Sequence, residues 1–258
     1  MWKAITRSAI GTRHQAANLP CQDYGAYRLL NQDILIGAIA DGAGSAKNAD
    51  IGAKVAVEQS LNFLQSRISS PNSLTEEQAQ SLFYELGESV RSQLSQTATQ
   101  MKGEFKDLAA TLLVFIASPD AIAAMQIGDG FIVTRSPTGE YELLFQPDKG
   151  EYINETTFVT SDQALEALQV KVLQTQSHFI CAATDGVERV SLNLSQWKPF
   201  SPFFEPLEAY LQETHHPEQE DTYLKDFLNS DRLNARTTDD KTLLLSLWCP
   251  VTNAHALG

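Results

Sequence analysis

The sequence predicts an α+β domain built on antiparallel sheets. Three observations carry this. Short apolar runs of strand length occur at the start, middle and end of the chain. Turn residues join several of them directly, as hairpins require. The two strongest helical patterns lie side by side between blocks of strands rather than alternating with single strands, which argues against a βαβ series.

Taken in order, 2–10 and 24–30 alternate apolar and polar residues like half-buried strands, and 33–40 is a nearly continuous apolar run, as in a strand covered on both faces. Asn31-Gln32-Asp33 reads as the hairpin turn between the last two. From Asp50, an expected N-cap, Ile51, Val55, Ala56, Leu61, Phe63 and Leu64 are spaced for one broad helical face. A second helix is expected over 73–100, capped by Ser73 or Thr75 with acids in its first turn. Strands resume at 109–118, 121–130, 131–136 and 141–146, with turns at Pro119-Asp120 and Pro137-Thr138-Gly139. Residues 148–176 are mixed and are the candidate substrate-selecting flap, 178–186 is another strand, 191–232 is polar with short helices, and 242–249 is a last apolar strand. With no internal repeat or low-complexity linker, residues 1–250 are expected to form one domain, followed by a tail at 251–258.

Composition narrows the function. A hydrophobic fraction of 43% supports a sizeable core, and a net charge of −13 argues against general nucleic-acid binding, which needs Lys and Arg against phosphates. Cys21, Cys181 and Cys249 are far apart and form no CxxC pair, so no zinc ribbon or thioredoxin-type site is indicated. An odd, sparse cysteine count suits a reducing compartment. No signal-peptide pattern and no membrane span are read from the chain, so the expectation is a cytoplasmic protein with no membrane association.

The chemistry is carried by carboxylates at strand ends. Asp41-Gly42 follows LIGAIA, Asp129-Gly130 follows AAMQIG, Asp185-Gly186 follows FICAAT, Asp239-Asp240 precedes TLLLSLW, and Asp23 precedes YGAYRLL. A single Asp-Gly is most often a plain turn with the glycine at positive φ. The loop after Asp41 is neither a Walker A loop nor a complete G-x-G-x-x-G, since Lys47 stands where the last glycine belongs. Five acids at the ends of apolar strands can converge at one sheet edge, where they would repel one another unless hard cations gather them. With no His or Cys in the set, Mg²⁺ or Mn²⁺ is favoured over zinc.

The ordered pieces PCQDYGAY, AIADGAGS, AATLLVF, QIGDGFIVTR, ATDGVE and TTDDKTLLL resemble the metal-dependent, type 2C serine/threonine protein phosphatases. GEYINETTFVTS (150–161) further resembles the bacterial branch. The resemblance implies a four-layer αββα sandwich of two antiparallel sheets flanked by helices, with the metal site at one end. It implies that Asp41 bridges two ions, that the Gly42 carbonyl binds one of them, and that Asp185 and Asp239 bind the second. Asp23 matches an acid acting through metal-bound water, and Asp129 one associated with a third ion. Two ions roughly 3.5–4 Å apart would activate a water for in-line attack on phosphorus, so no protein nucleophile is needed.

Departures accompany the match. Gln22 stands where the family commonly has Glu. Arg13 and His14 are the nearby cations in place of a phosphate-binding arginine closer to the motif. Arg189 stands where an aspartate often helps hold the third ion, which sets it against an ion at Asp129.

His14 reads either as a phosphate ligand or proton donor or as a surface-loop histidine. Thr111 reads as a packing or supporting hydrogen-bond residue. Cys21 and Cys181 read as small packing residues, Lys47 and His215-His216 as solvated, and Trp2, Trp197 and Trp248 as core or partial core.

The expected function is a Mg²⁺/Mn²⁺-dependent phosphoserine/phosphothreonine protein phosphatase. The expected partners are a phosphorylated protein and a partner Ser/Thr kinase, with the enzyme a monomer. A catalytically weak relative that binds a partner, and a phosphomonoesterase for small esters, are the alternatives.

Overall fold

The computed structural model describes residues 1–31, 33–68, 74–146, 156–174 and 177–250. Its elements in chain order are β1 (Trp2–Ala9), α1 (Thr12–Ala17), β2 (Asp23–Leu29), β3 (Leu35–Asp41), α2 (Ala49–Arg67), α3 (Glu76–Met101), β4 (Leu112–Ala117), β5 (Ile122–Ile127), β6 (Phe131–Arg135), β7 (Tyr141–Leu143), β8 (Gln169–Leu173), β9 (Phe179–Ala183), α4 (Glu188–Ser191), β10 (Leu192–Asn193), β11 (Lys198–Pro199), α5 (Ser201–Glu213), α6 (Thr222–Asn229), α7 (Asp231–Asn234) and β12 (Lys241–Trp248).

Two five-stranded sheets form, in the orders β1-β12-β9-β6-β7 and β2-β3-β4-β5-β8, with every pairing antiparallel. Their apolar runs are continuous because each central strand is covered on both faces. In β4, Leu112, Val114 and Ile116 meet the layer formed with α2 and α3, whereas Leu113, Phe115 and Ala117 fill the space between the sheets. In β9, Phe179, Cys181 and Ala183 face α5 and α6, while Ile180 and Ala182 point into the inter-sheet core. The result is the expected four-layer αββα sandwich. Gly37 on β3 has the Phe115 ring where its Cβ would sit, 2.5 Å away, so a side chain there would push against that ring.

Local expectations hold or shift for identifiable reasons. Thr75 caps α3 in a reciprocal capping box with Gln78, and Asn31 Oδ1 accepts the backbone N–H groups of Asp33 and Ile34 in the β2–β3 turn. The N-cap of α2 is Asn48, not Asp50, which lies in the first turn and still complements the helix dipole. Of the expected face of α2, Ala56, Leu61 and Leu64 are buried. Gly52, Ala53, Val57 and Ser60 are buried, while Ile51, Val55 and Phe63 are only partly so. The cause is close packing: a Cβ on Gly52 would lie 2.2 Å from the Leu108 carbonyl oxygen, so small residues must face inward.

Three elements were not anticipated: α1 within the loop 11–22, the β10–β11 ribbon, and β8 inside 148–176. The flap expectation at 148–176 lies partly outside the described residues, as do Gln32, Ser73 and the tail at 251–258. Trp2 is buried and packs at 5.5 Å on Trp248, joining β1 to β12. No helix among the described residues is long and apolar enough to cross a membrane.

Candidate active site

Antiparallel register brings the first two acids together. Asp23 opens β2 and Asp41 ends β3, and they are direct cross-strand partners, so both side chains leave the same face. Asp23 is buried, and its Oδ2 accepts from Thr184 Oγ1 at 2.7 Å. Asp41 is fixed through its backbone: its N–H donates to Thr111 Oγ1 at 2.9 Å and its carbonyl accepts from Thr111 N at 2.8 Å. Thr111 therefore supports the strand end and does not itself enter the cleft.

Gly42 bridges Ala110 and donates its N–H to the Gln22 carbonyl at 3.1 Å. It is not at positive φ, contrary to the plain-turn reading; among the described glycines only Gly128 and Gly139 are. Gly42 is needed for space, because a Cβ would lie 2.6 Å from the Ala49 carbonyl oxygen at the start of α2.

Asp185 leaves β9 into a single tight turn, and Asp239 precedes β12. These two strands are neighbours in the sheet, and Thr184 N donates to the Thr242 carbonyl at 3.2 Å, so the two acids emerge beside each other. Gly186 is required by the same approach: a Cβ would fall 1.8 Å from the Asp240 carbonyl oxygen. Asp129 follows Gly128, whose φ of +106° turns the chain out of β5, and its Oδ2 accepts from Thr156 Oγ1 at 2.7 Å.

Asp129, Asp185, Asp239 and Arg13 line one cleft of about 990 Å³ together with Arg189 and Arg236. Arg13, on α1, donates through Nη2 to Asp239 Oδ1 at 3.1 Å and remains more than half exposed at the cleft.

Burial leads the electrostatics of the acids, and their mutual charge adds to it. Burial, followed by the charges of Asp23 and Asp185, holds the Asp41 carboxyl well above the usual carboxylate range. Burial pushes Asp23 up to about 7; the hydrogen bond from Thr184 opposes this, and the charge of Asp240 adds to it. Two buried oxygens, Asp23 Oδ1 and Gln22 Oε1, have no hydrogen-bond partner. Among the described residues no three His, Cys, Asp or Glu side chains stand close enough to hold one ion as placed. An all-oxygen donor set, mutual repulsion and orphaned buried oxygens nevertheless suit hard divalent cations, which would draw the carboxylates together.

His14 is neither in the cleft nor on the surface. It is buried on α1, and its Nδ1 lies 2.9 Å from Asp240 Oδ2. Asp240 also accepts from Gly11 N at 2.6 Å and Gln22 N at 2.5 Å. This carboxylate ties the loop before β2 to the start of β12, and its part was not read from the sequence. Strand alternation was the available signal, since of two adjacent acids only one can face the cleft. Burial, and next the charge of Asp23, raise the Cys21 thiol far above its usual value, which removes it as a nucleophile.

A family model described as protein phosphatase 2C matches residues 10–229. The chain belongs to the protein phosphatase 2C family. It is 36% identical over 256 residues to serine/threonine-protein phosphatase 3 of Escherichia coli (strain K12), covering 96% of this chain and 98% of that protein. Protein phosphatase 2C architecture is also seen in its structural likenesses. The serine/threonine phosphatase of S. agalactiae superposes with a TM-score of 0.66 at 15% identity, covering 96% of this chain and 99% of the other. Serine/threonine phosphatase Stp1 from Staphylococcus aureus gives 0.63 at 15%, covering 97% and 96%. RsbX, solved in complex with magnesium, gives 0.57 at 13%, covering 95% and 94%.

Proposed function

We propose that this chain is a metal-dependent serine/threonine phosphoprotein phosphatase. The observation that carries the reading is the convergence of Asp41, Asp185 and Asp239 from three strand ends beside buried Asp23, in a family whose relative over nearly the whole chain is a serine/threonine phosphatase. Asp41, Asp185, Asp239 and the Gly42 carbonyl would hold Mg²⁺ or Mn²⁺. When bound, such ions supply Lewis acidity toward the phosphoryl oxygens and an activated water.

The chain's own residues do the rest. Arg13, exposed at the cleft and oriented by Asp239, presents a fork of N–H donors to phosphoryl oxygens. Asp23 offers its unpartnered Oδ1 as a proton acceptor, while Thr184 fixes its other oxygen. Arg189, which lines the same cleft as Asp129, adds positive charge to it and would disfavour a third cation there.

The substrate is a phosphorylated protein, supplied by a partner Ser/Thr kinase, and the enzyme acts as a monomer with residues 1–250 as one domain. Three unpaired cysteines favour a cytoplasmic location. The test is Mn²⁺-dependent release of phosphate from phosphoserine and phosphothreonine peptides, compared with small phosphate esters. Absence of metal-dependent turnover on any of them would refute the reading, and preference for small esters would redirect it.

A further inference from the structure

A second hollow, of about 660 Å³, opens beside the catalytic cleft between α4, α5, α6 and α7. The two share Arg189, Val190 and Arg236, so they adjoin. Its floor is aromatic: Phe203 packs edge-on against Phe227 at 5.6 Å. Phe200, about half exposed, and Tyr223 stand at its margins. Such apolar surface is left open on a soluble fold mainly where something binds.

Three arginines, Arg189, Arg232 and Arg236, line it, and all are exposed. Among the described residues none of the three guanidinium groups takes part in an ion pair or a side-chain hydrogen bond. Three unpaired cations clustered on a chain of net charge −13 make a local positive field in an otherwise negative surface.

We propose that this trough is the docking groove for the substrate polypeptide beside the phosphorylated residue, and that it selects an acidic segment carrying one aromatic or large aliphatic side chain. The proposal rests on the phosphatase reading of the neighbouring cleft. The apolar side chain seats on Phe203 and Phe227, and the flanking carboxylates meet the arginines. Because the two hollows adjoin at Arg189 and Arg236, one extended chain can place its phosphate in the cleft and its anchor in the groove. A second copy of this chain is disfavoured by the repulsion between two strongly negative molecules.

The experiment uses Arg232→Glu and Phe200→Ser, exposed positions that line the groove and not the cleft. Fluorescence anisotropy is measured with a labelled, unphosphorylated peptide containing phenylalanine among glutamates, and with its lysine counterpart. The wild type is expected to bind the acidic peptide, and each variant to bind it about tenfold more weakly. In turnover assays the matching phosphoserine peptide loses about tenfold in kcat/KM in each variant, while p-nitrophenyl phosphate turnover stays within about twofold.

Equal peptide affinity in wild type and variants, or preference for the lysine peptide, overturns the proposal. So does a dimer of the wild type in sedimentation that Phe200→Ser converts to monomer, since a second copy would then fill the groove. If no phosphate ester is turned over at all, the phosphatase reading fails, while the anisotropy still decides the groove.

Discussion

Asp23 and Asp41 stand directly opposite each other on β2 and β3, and burial, followed by the charge of Asp23, holds the Asp41 carboxyl above the usual carboxylate range. Two carboxylates held this way make the metal-free fold sensitive to pH. Asp23 titrates at about 7 in the folded chain against roughly 3.9 when unfolded. The folded state therefore holds the proton more tightly, and the stability it contributes is complete below about pH 4 and lost as pH rises through about 7. Thermal unfolding of metal-free protein should show the melting temperature falling across that window, and Asp23→Asn should flatten the fall. Mg²⁺ or Mn²⁺ should raise the melting temperature most at the upper end. A wild-type profile parallel to that of Asp23→Asn would show that this carboxyl ionises as an ordinary one.

Asp41→Asn should reduce Mn²⁺-dependent hydrolysis of p-nitrophenyl phosphate by at least about a hundredfold, equivalent to about 2.7 kcal/mol of barrier. Asp41 is the acid coupled to Asp23, Asp185 and Asp239 together, so its charge serves the whole cluster. Activity within about threefold of the wild type would remove the metal centre from this end of the sandwich.

His14→Ala should act on stability. Asp240 loses one of three partners in a buried position, and urea unfolding should report a loss of about 1–3 kcal/mol. The ratio of phenyl phosphate to p-nitrophenyl phosphate turnover should be unchanged, because a structural histidine does not protonate the leaving group. A selective loss on phenyl phosphate, whose alkoxide-like leaving group needs a proton more, would restore His14 as the proton donor.

Gly186→Ala places a methyl group 1.8 Å from the Asp240 carbonyl oxygen, a distance no rotamer can relieve. β12 must move away from the turn after Asp185. We expect a loss of at least about 2 kcal/mol in unfolding free energy, with weaker Mn²⁺ binding by calorimetry. An unperturbed variant would mean that the two chain segments separate easily.

Most of the sandwich could be read from the sequence because its central strands are covered on both faces. Runs such as LIGAIA cannot be helix faces without burying every side. The acids at the strand ends were readable for a related reason: a carboxylate after six apolar residues is costly unless used. What escaped detection has weaker local signals. α1 is six residues with one buried side chain, His14, too short for a period to show. β8 is an edge strand with four half-buried residues around exposed Lys171, so its alternation is faint. Gly52 on the inward face of α2 gives no apolar signal, because contact distance, not hydrophobicity, selects it there. Asp240 stands beside Asp239 in the sequence, although its hydrogen-bond neighbours Gly11, His14 and Gln22 come from more than two hundred residues earlier in the chain.

The register Trp2↔Trp248 has a consequence for biosynthesis. β1 is made well before its ladder partner β12, which lies more than two hundred residues later in the chain. Until β12 emerges, β1 has an unpaired edge, Asp239 is missing from the acid cluster, and the loop carrying Arg13 has no Asp240 to fasten it. Such long-range closure is slow to form. A nascent chain of this protein is consequently inert toward phosphoproteins until β12 has been translated, and a fragment ending before Lys241 should neither fold fully nor turn over phosphoprotein.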